Sequence, residues 1–224
     1  MDKTSLASSD IQLKHFELLR NKINARLEEI GTRHAQRQIE DFPWLYGALG
    51  QVPSDVMFVC ENPSLTGVER AHVRTVGGGR PTIEDQWCGG PKSNCIKRFR
   101  PALCEMGLKT TGPLEPGGWR CYITNVIKEA DVVRDFISRD KQSIALEWAD
   151  VLRWEIQEVN PTAIFTVGNA ATELMRVLQT MEKIPRLRMP QPVMHYSNRG
   201  RGMTDKVVRE TITNDIRMGL GQSS

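Results

Sequence analysis

No stretch of the chain approaches the roughly 20 consecutive apolar residues that cross a bilayer, and the amino-terminal MDKTSLASSD lacks the apolar core of a secretory signal. A soluble, cytoplasmic protein with no membrane partner is expected. No C-x-x-C pair occurs, and the five cysteines are an odd number; reduced thiols fit this better than a disulfide framework. Neither sign of charge dominates, since 30 basic residues face 27 acidic ones for a formal net charge of +3, so charge alone does not argue for a nucleic-acid partner. Internal repeats and low-complexity tracts are absent. The GGGR at 77–80 lacks the Lys-Ser/Thr ending of a phosphate loop, NRGRG at 198–202 is not a dinucleotide fingerprint, and no serine stands in a nucleophile elbow. Cys88, Cys95 and Cys104, with His72 nearby, have spacings that match no compact zinc pattern, so no metal site is expected.

What is present is an alternation of strand and helix patterns. The 224 residues suit one α/β domain. Apolar residues Phe16, Leu19, Ile23, Leu27 and Ile30 recur at helical spacing after the candidate caps Ser8, Ser9 and Asp10. Residues 1–50 are expected to form an amino-terminal helical segment packed on the domain of residues 51–224. Strands are expected at 56–60, 119–128, 163–168 and 192–197, and helices at 95–107, 141–159, 169–179 and about 204–217. That order predicts a three-layer sandwich: a central, mostly parallel four-stranded sheet with helices on both faces. Residues 65–94, with Gly77-Gly78-Gly79 and Gly89-Gly90-Pro91, read as a long loop. Basic residues gather at Arg70, Arg74 and Arg80, at Lys92, Lys97, Arg98 and Arg100, and at Arg186, Arg188, Arg199 and Arg201; on a shared face they could contact phosphates, and otherwise they are solvated surface.

Strand ends carry the chemistry. VMFVC breaks into Glu61-Asn62-Pro63, Thr124 and Asn125 lie in the second strand, and VMHYSN closes the fourth with His195, Ser197 and Asn198. Parallel strands deliver all these residues to one sheet edge, where open α/β sheets bind ligands. An Asn donates and accepts together, which matches the imide edge of a pyrimidine. A His beside a developing anion stabilises it, and a carboxylate or carboxamide can position water. Taken singly, each residue also has a structural role open to it: Asn125 as a satisfied amide, His195 as a packed histidine, and Glu61-Asn62-Pro63 as a turn.

In order, VMFVCENPS, YITNVIK, AIFTVGNAATELM and VMHYS resemble the motifs of the uracil-DNA glycosylase superfamily from residue 56 to about 200. The second and third segments look closest to its bacterial and archaeal iron-sulfur type. The resemblance implies a base-excision glycosylase that flips a damaged pyrimidine out of DNA and acts as a monomer without a cofactor. Asn62 then matches the residue that orients the attacking water, Asp in the fast uracil-specific enzymes and Asn in the mismatch-specific type. Glu61 stands where the iron-sulfur type has Glu, Asn125 matches the reader of the flipped base, and His195 matches the residue that stabilises the departing anion. Trp87 falls where a Phe usually stacks on the base, Ser64 and Ser197 flank the pocket, and Asn198, Arg199, Arg201 and Met203 occupy the DNA-facing segment.

Departures from the family pattern are plain in the sequence. Cys60 and Ser64 replace first-motif glycines, Tyr196 replaces the Pro after the His, and NRGRGM offers only Met203 as an apolar wedge. Glu129 stands where the iron-sulfur type has a cysteine, so no cluster is expected. These departures leave open a non-cleaving nucleic-acid or base-binding protein, or a hydrolase or sensor of a modified nucleoside or nucleotide.

Overall fold

The computed structural model describes residues 3–30, 48–63, 93–129, 138–185, 190–198, 200 and 202–222. Trp87, Ser64, Arg199 and Arg201 lie outside the described residues, as does the loop expected at 65–94 up to Lys92.

Helix α1 spans Lys3–Ile30. It begins ahead of Ser8, Ser9 and Asp10, which therefore sit within the helix and not at its start; the preceding Leu6 and Ala7 favour helix. The sheet contains β1 (Leu49–Gly50), β2 (Val56–Cys60), β3 (Tyr122–Asn125), β4 (Ala163–Val167) and β5 (Gln191–Val193) in the order β1-β3-β2-β4-β5. Among the described residues it has five strands where four were expected. The addition, β1, pairs antiparallel with β3 and is two residues long, too short to leave a periodic signal. The other pairings are parallel.

Every residue of β2 is buried, as a strand with neighbours on both edges and helices on both faces requires. Its side chains alternate between two cores. Met57 and Val59 pack with Leu19 and Ile23 of α1, with Trp148 and Leu152 of α3 (Ser138–Val159), and with Leu174 and Met175 of α4 (Asn169–Thr180). Val56, Phe58 and Cys60 face the opposite layer, where a π-helical turn (Cys95–Phe99) runs into α2 (Arg100–Glu105) and α5 (Asp205–Gly219) supplies Val208, Ile212 and Ile216. Local signals mark the ends: Asn160, at φ 50°, closes α3 ahead of Pro161, and the Thr204 hydroxyl caps α5 by accepting from the Val207 N–H at 3.2 Å.

Two expected strands are shorter than their apolar runs. The fourth stops at Val193 because the Met194 N–H donates to the Asp215 carboxylate and the Ser197 N–H to the His195 ring, which turns the chain out of the ladder. The second starts only at Tyr122, since Arg120 N–H bonds back to the Leu108 carbonyl. Strand order reverses across β2: the chain passes from β2 to β3 on one side, then to β4 on the other. Open α/β sheets bind ligands at such a switch point, here the carboxyl ends of β2 and β4.

Candidate active site at the carboxyl edge of the sheet

Cys60 of β2 stands opposite Asn125 of β3, so Glu61 and Asn62 leave the sheet beside Asn125. Two further bonds hold the edge together: Val126 N–H donates to the Cys60 carbonyl at 2.8 Å and Ile127 N–H to the Glu61 carbonyl at 2.9 Å. Asn62 donates its side-chain amide to the Pro63 carbonyl at 3.2 Å, which leaves Oδ1 as the acceptor of that carboxamide. Asn125 is buried at 1 % exposure.

Behind Asn125 lies a buried polar network. Lys128 and Glu155 form an ion pair in which both side chains are fully buried. Lys128 Nζ also donates to the Thr124 hydroxyl at 2.6 Å and to the Asn125 carbonyl at 2.7 Å. Tyr122 and Thr124 hydroxyls donate to Glu155 Oε1 at 2.8 and 2.7 Å. Because the Tyr122 hydroxyl gives its proton to Glu155, it accepts from His15 Nε2 of α1, 3.0 Å away. Burial lowers the Lys128 pKa while the Glu155 charge opposes that shift, and burial pushes the Tyr122 hydroxyl well above its ordinary value.

His195 is half-buried and held on several sides. Its Nδ1 accepts from the Ser197 backbone N–H at 3.0 Å, so the neutral ring carries its proton on Nε2. Tyr196 stacks on the imidazole with centroids 4.5 Å apart, and Phe99 in turn lies 5.5 Å from Tyr196 and 5.4 Å from Phe58 of β2. A chain of ring contacts thus ties the imidazole to the core. Arg98 fixes the same loop, donating to the Tyr196 carbonyl at 3.0 Å, to the Asn198 carbonyl at 2.9 Å and to Asp205 Oδ1 at 2.6 Å. Burial lowers the His195 pKa from its ordinary 6.5, with Glu61 pulling the other way.

Beside His195 an open cavity of about 550 Å³ is lined by residues that include Gly168, Asn169, Ser197, Asn198 and Asp215. That volume suits a small organic group. Glu61, Asn62 and Asn125 are not among its walls. His195, Ser197 and Asn198 therefore share this cavity, whereas the carboxylate and the two other carboxamides cluster at the ends of β2 and β3.

A family model described as the Uracil DNA glycosylase superfamily matches residues 48–216. The chain belongs to that superfamily. No individual curated protein matches it significantly. The α/β fold expected from the resemblance is the superfamily's fold, with the extra strand β1 inside the matched segment. Helix α1 lies ahead of the match.

Two superfamily departures acquire a physical meaning here. Tyr196, in place of Pro, is the ring that stacks on His195. Met203 is half-buried and packs against the core shared by α2 and α5. The basic cluster expected around 97–100 is partly a correction: Arg98 and Arg100 are buried, at 8 % and 3 % exposure. Arg100 donates to the Pro113 carbonyl at 3.0 Å and lies over the Trp119 ring, so its guanidinium serves the fold and not a phosphate face.

Sequence reasoning missed Arg98 as a loop clamp, Tyr196 as a ring support, and Lys141, whose Nζ lies 2.6 Å from Glu61 Oε1. A lysine in a mixed-charge helix carries no local signal of such a long-range pairing. Among the described residues no helix is long and apolar enough to cross a membrane, and no group of three or more metal-ligating side chains is present.

Proposed function

We propose that the protein is a DNA base-excision glycosylase that hydrolyses the N-glycosidic bond of uracil or a related deaminated base after flipping it from the strand. The observation that carries this proposal is the fixed tautomer of His195, whose Nε2–H is the donor a departing pyrimidine anion needs. As the N–C1′ bond breaks, its electron pair leaves with the base and Nε2–H hydrogen-bonds the anion. The sugar becomes oxocarbenium-like, water adds to C1′, and the water's proton passes to solvent. Asn62 Oδ1 would hold that water, Asn125 would read the imide edge of the base, and Glu61 would contribute electrostatically. With a carboxamide at position 62 in place of a carboxylate, the reaction should be slow unless Glu61 supplies the missing charge.

Ser197, Asn198 and the segment through Met203 would meet the DNA strand, with Arg199 and Arg201 on phosphates, Trp87 stacking on the base and Ser64 contacting the substrate. Met203, half-buried against the core, would be a poorly exposed wedge for the gap left by flipping. That favours single-stranded or mispaired substrates, where unstacking costs least. A monomer working in the cytoplasm is the setting proposed.

The test is base release from labelled oligonucleotides carrying uracil, hypoxanthine or xanthine, single-stranded and opposite each base, with abasic sites revealed by alkali. Asn125→Ala should lose discrimination between uracil and the natural pyrimidines while remaining folded. Unchanged preference in that variant would remove Asn125 from the base-reading role. If wild type binds these strands but cleaves none, the packed Met203 and the altered first motif favour a non-cleaving binder.

A further inference from the structure

Glu61 leaves β2 directly beside the base-reading strand, and its carboxylate is sheltered, at 18 % exposure. Lys141, in the first turns of α3, reaches it at 2.6 Å and is itself only 15 % exposed. A pair this sheltered is screened less than a surface pair, so loss of either member would leave the other's charge acting on its neighbours. We propose that Lys141 is a positioning residue of the active site: it holds Glu61 in an ion pair that keeps a bare negative charge away from His195 and the departing base.

The inference rests on the glycosylase proposal, because the leaving base is then an anion. An uncompensated carboxylate nearby would oppose that anion, while a closed pair presents no net charge. It would also draw a proton onto His195. Among the described residues, the charged groups tied to the ring or its loop are Glu61 from the end of β2, whose charge acts on the ring, Asp215 of α5 on the Met194 N–H, and Arg98 on the Tyr196 and Asn198 carbonyls with Asp205 against it. Of these, Glu61 is the one whose charge raises the basicity of the ring. A second proton on the ring would sit on Nδ1, against the Ser197 N–H, and would break the bond that orients the donor.

The experiment uses the full chain as wild type, Lys141→Met, Lys141→Arg, Glu61→Gln and the double variant Lys141→Met/Glu61→Gln. NMR titration of the His195 ring is the first measurement and needs no turnover. Lys141→Met should raise the His195 midpoint, Lys141→Arg should keep it near wild type, and the double variant should bring it back down. An unmoved midpoint in a folded Lys141→Met overturns the proposal whether or not the protein cleaves DNA. If Lys141→Met does not fold, Lys141→Gln, which also removes the ammonium and leaves Glu61, takes its place and is read by the same criterion.

The second measurement is single-turnover cleavage. Lys141→Met should be slower by roughly tenfold, and Lys141→Arg, which keeps the ion pair, should retain much of the wild-type rate. A Lys141→Arg as slow as Lys141→Met would mean that the ion pair is not what Lys141 supplies and would overturn the proposal. Absence of cleavage by wild type would count against the glycosylase proposal alone, and the titration would still decide the role of Lys141.

Discussion

Gly168 lies so close to His195 that a methyl group added to it would stand 3.0 Å from the His195 Cβ and 3.1 Å from the ring carbon Cδ2. Its φ of +89° is also a conformation that residues with a side chain rarely adopt. The end of β4 is thus shaped to let the imidazole pass. Gly168→Ala should displace His195 and lower the single-turnover rate by roughly 100-fold. Backbone strain should cost about 1–3 kcal/mol of stability. Denaturant titration and oligonucleotide cleavage check the two effects separately. A variant with wild-type rate would mean that His195 is not positioned by this contact.

The buried Lys128–Glu155 pair predicts strong non-additivity. Glu155→Gln leaves the Lys128 ammonium without its counter-charge in a fully buried setting, which should cost about 3–5 kcal/mol. Lys128→Met should be costly too, through the carbonyl and hydroxyl partners it abandons. The Lys128→Met/Glu155→Gln double variant should lose clearly less than the sum of the two singles. Chemical unfolding of all four proteins measures this cycle, and strict additivity would mean that the charges do not interact.

His15 gives the protein a pH-dependent stability with a definite sign. Burial lowers its pKa below the ordinary 6.5, against the charges of Glu155 and Glu158. Its Nδ1 is buried without a hydrogen-bond partner among the described residues. Between the lowered folded value and 6.5 the unfolded chain binds more protons than the folded one, so stability rises with pH through that window. The contribution is complete above 6.5 and is lost as pH falls through the window. His195, lowered for the same reason, acts in the same direction. His15→Gln, which keeps a donor for Tyr122, should flatten the loss of stability between pH 7.5 and pH 5.5. An equally steep loss in the variant would assign the dependence to other groups.

Much of this architecture is written in local patterns. VMFVC reads as a strand buried on both faces because nothing polar interrupts it, and it is one. Asn160-Pro161 ends a helix and Gly168 ends a strand by backbone preferences that act within a few residues. Position in space is what local patterns do not carry. Lys97, Arg98 and Arg100 look alike as a basic run, yet Arg98 and Arg100 turn inward to satisfy carbonyls and a carboxylate from residues about 100 positions away or from the following loop. Glu61 shows no sign in sequence of its partner Lys141, because the two meet only when α3 docks on the sheet. Tyr196 read as a departure from a motif, and its stacking on His195 emerges only from the turn that the Ser197 N–H closes.

The central claim is that this site breaks a glycosidic bond. Its most direct measurement is mass-spectrometric detection of free base after incubation of the purified protein with a single-stranded uracil-containing oligonucleotide, with His195→Ala run in parallel. Wild type should release uracil and leave an abasic strand, and His195→Ala should be slower by about 100- to 1000-fold. Release of uracil at the same rate by folded wild type and folded His195→Ala would contradict the account, as would no free base from wild type across uracil, hypoxanthine and xanthine.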